Sequence, residues 1–399
     1  MRRSFLTVAA LTLAATALLL GACGDSPSPQ TSTPTPSVTV AKTAPKTTAS
    51  GKTRIALLLP FSGRAAPLGQ SLQQAAEMAL FDNGAKDIAL AAYDSGDSAE
   101  MAMQAYRKAK SEGAALVLGP LFGTSATALG SEVRQSAGQG GALNVISFSN
   151  DETAAQPGVW VMGIAAPPQV RRVVDHAIAQ GIKRFAAFAP HTPYSEQMSR
   201  TLDSHVAVRG GTVVAIELYD AESLDLTAAA RRLANEIKGE GKLAILVPVA
   251  PLRLSAALAS LAAAGLDSRA VQFIGTGVWD VGGIGQETML RGAWYAAPNP
   301  AQRADFERRY LATYGRPPQR LATLAYDAVA LAGHLARLRP GGDFSAEAIT
   351  NVNGWAGVDG AFRFFADGRV ERALAVIELQ GDKGTVIGPA PATFARSTN

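Results

Sequence analysis

Cysteine is almost missing from this chain: its 399 residues include one, Cys23. A lone thiol excludes an internal disulfide framework and a cysteine-built zinc site, so the fold must be held by burial alone. Histidine is nearly as scarce, with His176, His191, His205 and His334, and these four lack metal-ligand spacing. No Gly-x-Ser-x-Gly elbow offers a nucleophile. Gly275 and Gly277 form a Gly-x-Gly pair without the third glycine of a dinucleotide fingerprint. Acids such as Asp94 and Asp97 are ordinary loop residues, solvated or capping. Charge excess is missing too: 37 Lys and Arg face 33 Asp and Glu, a formal net charge of +4. Without Arg2 and Arg3 the balance falls to +2. No dense basic run is interleaved with aromatics, which make up 7% of the chain, so nucleic acid is not an expected partner. These absences leave no expected metal, cofactor or catalytic centre.

What is present begins with a secretory pattern. Arg2 and Arg3 precede an apolar stretch from Phe5 to Leu20, shorter than the about 20 residues of a spanning helix and closed by small residues. Leu20-Gly21-Ala22-Cys23 resembles a bacterial lipobox, in which Cys23 accepts a lipid before the leader is cleaved. The other reading is a plain signal peptide with an incidental cysteine. From residue 24 to about 51 the chain is Pro, Ser, Thr and Ala, too poor in apolar surface to offset its ordering entropy, and is expected to be a disordered tether. Gly24 after the cysteine favours the outer membrane by resemblance to Gram-negative lipoproteins; Asp25, one place later, leaves the inner membrane open. The expected location is therefore the periplasm, on a lipid anchor.

From residue 52 onward, short apolar runs alternate with amphipathic ones. Strands are expected at 54–60, 88–94, 115–119 and 143–147, with helices at 67–82, 99–111 and 125–137 between them. After a strand-like crossing at 159–163 the series restarts with a helix at 168–180. Strands follow at 184–189, 211–218, 243–248 and 271–275. Repeated βαβ units predict an α/β protein whose sheets are parallel and flanked by helices. Two series of similar length predict two lobes. A second crossing near 296–300 leads to helices at 301–314 and 319–338, and then to a hairpin of 360–365 and 370–379 turning at Asp367-Gly368. The expected organisation is a leader at 1–23, a tether at 24–51, a first lobe of 52–163 plus 298–352, a second lobe of 164–297 plus 353–385, and a tail at 386–399.

Several segments carry a family resemblance. Ile55 to Gly63 (IALLLPFSG) with Gly69, Asp94, Val117-Leu118-Gly119-Pro120 with Ser125, and Ile146 to Asn150 (ISFSN) form one set. Phe306, Tyr310, Tyr314-Gly315, Pro317, Ala325-Tyr326-Asp327-Ala328, Gly360-x-Phe362-x-Phe364 and Asp367-Gly368 form another. Together they resemble the type 1 periplasmic-binding fold, in its Leu/Ile/Val-binding-like branch. That resemblance implies two lobes with a ligand cleft between them. Segments 60–63, 77–82 (EMALFD) and 118–123 (LGPLFG) look like penicillin-binding protein activators, non-catalytic lipoproteins that regulate peptidoglycan synthesis by binding a synthase. The alternative is the substrate-binding protein of an ABC importer for branched-chain amino acids, amides or similar small solutes, with an ABC permease as partner.

In such a fold the ligand lies outside the carboxyl ends of parallel strands, where helix N-termini present free N–H groups. Ser62, Thr124, Ser125, Ser147 and Ser149 either place hydroxyls there or simply cap helices. Tyr194 and Trp279 either stack on a ligand or pack in the core. A free amino acid needs a carboxylate against its ammonium group, and the second-lobe segment 246–252 (LVPVAPL) has none. Asp280 is the nearest candidate and is equally a potential cap. An uncharged ligand, or none, is expected.

Overall fold

The first apolar run becomes β1 (Thr53–Leu59), buried along nearly its whole length. A strand apolar on both faces needs neighbours on both edges and helices on both faces. In the computed structural model, which describes residues 51–137, 143–381, 383–391 and 394, it has them. β1 pairs in parallel with β2 (Ile88–Asp94) and β3 (Leu116–Leu118). β4 (Val145–Ser147) and β5 (Val159–Val161) continue the sheet in the order β2-β1-β3-β4-β5, all parallel. The returns are α1 (Ala66–Asp82), α2 (Ala99–Ser111) and α3 (Gly123–Ala137). Local chemistry sets their ends. At α2, the Ser98 hydroxyl accepts from Met101 N at 3.2 Å, Glu100 sits in the first turn, and Lys108 and Lys110 in the last.

The second lobe repeats the scheme. It contains α4 (Ala166–Ala179), β6 (Arg184–Pro190), α5 (Pro193–Val208), β7 (Thr212–Tyr219), α6 (Thr227–Glu236), β8 (Leu243–Leu246), α7 (Pro251–Ala263), β9 (Gln272–Gly275) and β10 (Trp294–Ala297). The chain then returns to the first lobe. Phe306 and Tyr310 of α8 (Pro300–Tyr314) pack on Ala75 and Met78 of α1. Leu324, Ala325 and Ala328 of α9 (Ala322–Arg337) enter the core beneath β1. A short α10 (Ala346–Ile349) and the antiparallel ribbon of β11 (Phe362–Phe364) and β12 (Val370–Arg372) follow. Finally β13 (Ala375–Gln380) and β14 (Lys383–Gly388) add two antiparallel strands to the second sheet, whose order is β14-β13-β10-β9-β8-β6-β7.

Two boundaries differ from those expected. The sequence puts 353–385 wholly in the second lobe, but Phe362, Phe364 and Val370 pack with Trp160 in the first-lobe core. Val161 N donates to Gly368 O at 2.9 Å, so the hairpin turn covers the open edge of β5, where a bare strand would invite foreign pairing. The single strand expected at 370–379 is therefore two. Val370 belongs to the first core and Leu374 to the second, so the chain crosses between them at 373–374. The expected tail at 386–399 is also shortened, because Val386 and Ile387 lie in β14 against the second core. Three segments thus link the lobes: 162–165, 298–299 and 373–374. The leader, Cys23 and the tether up to residue 50 lie outside the described residues. Among the described residues no helix is long and apolar enough to cross a membrane.

Candidate functional site

The segment after β9 meets the first lobe, because Asp280 bonds Arg303 of α8 and Arg320 just before α9. The sequence-predicted residues lie in or beside the loops that follow β1, β3, β4, β6 and β9. In the β1–α1 loop, Ser62 is exposed and its hydroxyl is directed at Asp94. Asp94 also accepts from Phe61 N at 2.9 Å and Gly96 N at 2.8 Å. Burial pushes its carboxyl up, but the donors from Gly96, Ser62 and Phe61 outweigh that and hold it below its ordinary value. Asp94 is thus the staple of this loop.

The serines of the next loops are largely engaged. Ser147 Oγ donates to Pro120 O at 2.9 Å and accepts from Ser149 N at 3.2 Å. Ser149 Oγ accepts from Asp151 N at 3.0 Å, while buried Ser125 donates to Ser98 O at 3.4 Å. These four bonds fix loop shape rather than cap helices. Thr124 alone in this group is exposed at the start of α3. Beside it lies Asp151, which the sequence reading passed over. Its Oδ1 accepts from Thr153 N and Thr153 Oγ1, at 3.0 and 2.6 Å. Its Oδ2 reaches Gly123, where a Cβ would meet it at 2.8 Å. A carboxylate so placed favours the positive end of α3.

In the second lobe, Tyr194 is partly buried, and its hydroxyl meets Thr276 Oγ1 at 2.8 Å. Trp279 is not a stacking platform. It is fully buried, donates from Nε1 to Val249 O at 3.2 Å, and packs edge-on to Tyr295. Its ring occupies the space over Gly275, where a Cβ would come within 2.5 Å, so the Gly-x-Gly pair serves packing. Asp280 closes the short turn Gly277–Trp279, its N–H donating to Gly277 O at 3.0 Å, and its carboxylate is not free for an ammonium group. It accepts from Arg303 Nη1 at 3.2 Å and from Arg320 Nε and Nη2 at 3.0 and 2.9 Å. Neither arginine stands out in the sequence, because their meeting with Asp280 depends on the packing of two lobes, which leaves both partly buried.

Behind this contact lies a buried polar cluster. Asp359 Oδ2 accepts from Thr323 Oγ1 at 2.5 Å and Arg320 Nη1 at 3.2 Å. Arg372 donates from Nη2 to Met162 O at 3.1 Å, on the first crossing segment. Asp327 Oδ1 accepts from Val358 N at 2.7 Å. Burial raises the Asp327 carboxyl to about 7 despite nearby Arg372 and the Val358 amide, with Asp359 pushing it further up. Burial also raises Asp359, but Arg320, Arg372 and the Thr323 hydroxyl bring it below its ordinary value.

The raised Asp327 carboxyl makes folding stability depend on pH. Its folded value lies above that of the unfolded chain, so its contribution is complete below about pH 4 and is lost as pH rises through about 7. Asp359 acts in the opposite sense, its contribution vanishing on acidification through its depressed value. Asp327→Asn is expected to remove the first dependence. Urea unfolding should show the variant gaining about 2–4 kcal/mol on wild type between about pH 4 and pH 8. A constant difference across that range would refute the assignment.

Among the described residues no group of three or more His, Cys, Asp or Glu is placed to hold a metal ion. The histidines are dispersed: His205 meets Asp175 at 2.7 Å, His191 meets Glu196 at 2.8 Å, and His176 and His334 pack on Trp294 and Trp355.

Two α/β lobes, joined by three crossings and facing each other across strand-end loops, define a solute-binding protein architecture. The sequence pattern of the periplasmic binding protein family matches residues 52–385, and the chain belongs to that family. Solved structures share the fold at low identity. A protein described as a branched-chain amino acid ABC transporter of Rhodospirillum rubrum superposes with a TM-score of 0.72 at 20% identity, covering 84% of this chain and all of that one (100%). A solute-binding protein from R. palustris in complex with benzoate gives 0.58 at 20%, covering 86% and 98%. The substrate-binding protein LivJ of Streptococcus pneumoniae, in complex with isoleucine, gives 0.58 at 18%, covering 85% and 100%. An uncharacterized protein, RP748, of Rickettsia prowazekii (strain Madrid E) is 23% identical over 181 residues, 45% of this chain and 47% of that protein. The chain thus spans about half the length of that curated relative.

Proposed function

We propose that this protein is the solute-binding component of an ABC-type importer, held outside the cytoplasm by a lipid on Cys23, and that its solute is a neutral polar molecule such as an amide. The observation that carries this is the two-lobed fold itself, with residues 52–385 matching the periplasmic binding protein family; in that fold a solute would meet exposed Thr124 at the start of α3. Two features favour a neutral solute over a free amino acid. Asp280, the acid that follows β9, is consumed by two arginines and is not free for an ammonium group. At α3, Asp151 already supplies the negative charge that a ligand carboxylate would bring.

The resemblance to penicillin-binding protein activators pointed to a peptidoglycan synthase as partner and to the outer membrane as the site of anchoring. Its three segments form the β1–α1 loop, the second half of α1 and the β3–α3 loop, which are parts of the shared fold. The solved relatives named above favour the importer.

The test is a thermal-shift screen over amides, zwitterionic amino acids, aromatic acids and muropeptides. A solute at 100 times its Kd stabilises the native state by about 2.7 kcal/mol, which the melting temperature reads directly. Amides are expected to shift it. Failure of every small solute, with a peptidoglycan synthase recovered by cross-linking in cells, would replace this reading with the regulator.

A further inference from the structure

We infer that Asp280, Arg303, Arg320 and Asp359 form an ionic latch that sets the angle between the lobes whether or not a solute is bound. Asp280 is the second-lobe member. It follows Trp279, which is locked in the second core, so its carboxylate projects from a fixed base. The other three belong to the first lobe. Arg303 lies one turn before Phe306, which packs on α1. Arg320 follows Gln319, whose N–H donates to Ser71 Oγ of α1 at 3.0 Å. Asp359 accepts from Thr323 of α9.

The bonding pattern is that of a clamp. Arg320 spans both acids, with Nε and Nη2 on Asp280 and Nη1 on Asp359. Arg303 Nη1 approaches the same two carboxylates, at 3.2 Å to Asp280 and 3.7 Å to Asp359, while its Nε bonds Glu307 at 2.8 Å. Two guanidinium groups thus face two carboxylates, and the planar guanidinium of Arg320 fixes direction as well as distance. The side chains of Asp280 and Arg303 are only 11% and 12% exposed, so salt screens them far less than surface pairs. Any motion that carries Asp280 away from α8 and α9 must part these charges. Each lobe keeps its own core, so loss of the latch frees the hinge at 162–165, 298–299 and 373–374 without unfolding either half. The inference rests on this geometry alone and holds for any occupant of the cleft.

The test is a spin-label distance between the lobes in the full chain. Gln104→Cys on α2 and Ser204→Cys on α5 carry the labels, with Cys23→Ser removing the native thiol. The latched chain is expected to give one narrow distance without solute. Asp280→Asn and Arg320→Met should each lengthen and broaden it while circular dichroism and cooperative melting stay intact. Asp280→Glu, which keeps the charge one methylene further out, should shift the distance without broadening it. Folded Asp280→Asn or Arg320→Met chains with the unaltered narrow distance would overturn the latch. So would a broad distribution in the unsubstituted latch.

Discussion

Replacing Arg372 by methionine is expected to lower folding stability by about 3–5 kcal/mol at neutral pH, the cost of removing one partner from a buried charge group. The guanidinium is almost fully enclosed, stands over the Phe362 ring at 5.1 Å, and donates to Met162 O at 3.1 Å. Methionine can occupy much of the volume, so the loss is electrostatic more than steric. Asp359 keeps Arg320 and Thr323 as donors. Asp327 loses the cation that offsets its burial, which drives its carboxyl further toward the protonated form. Adding Asp327→Asn to Arg372→Met should therefore return part of the loss, a non-additivity expected of groups in one network. Urea midpoints of the single and double variants measure both effects. A change within 0.5 kcal/mol, the ordinary range of surface substitutions, would show that the group is not a coupled buried cluster.

Trp160→Ala is the second large effect, at about 3–5 kcal/mol for a buried aromatic truncated in a core that relaxes only partly. Trp160 is fully buried in β5 among residues of α9, β11 and β12. Its Nε1 donates to Phe365 O at 3.0 Å, and its ring packs against Phe364. The substitution removes the platform on which the late hairpin rests and leaves the partly buried Phe365 carbonyl without its donor. A specific sign should accompany the stability loss: earlier proteolytic cleavage near 366–368, as the turn lifts from the edge of β5. Destabilisation without that cleavage would mean that Trp160 fills space but does not hold the hairpin.

Both residues illustrate where sequence reading stops. The alternation of β1, α1, β2 and α2 was legible because each element shows its own period or length. The hairpin was legible as a hairpin, through Asp367-Gly368, but not as part of the first lobe. Its place depends on contacts some 200 residues apart in the chain, between Trp160 and Phe365 and between Met162 and Arg372. No local pattern encodes such a pairing.

The candidate site divides in the same way. The loops were read from strand ends and helix starts; of their residues Thr124 is exposed, while the Tyr194 hydroxyl is engaged by Thr276. Trp279 has the same residue type as a ligand-stacking aromatic, and only the space over Gly275 shows that its ring is filling core. Asp280 was noticed because it follows a strand, yet its role was set by two arginines brought from the other lobe.

By itself, then, the sequence determined the composition-level exclusions, the repeated βαβ scheme and the position of the strand-end loops, because these follow from local pattern and chain order. Tertiary structure alone decided which lobe receives the hairpin, which polar groups are buried and which charges meet. Those outcomes depend on which surfaces are removed from water together, and a carboxylate or guanidinium changes its energetic meaning only when its surroundings do.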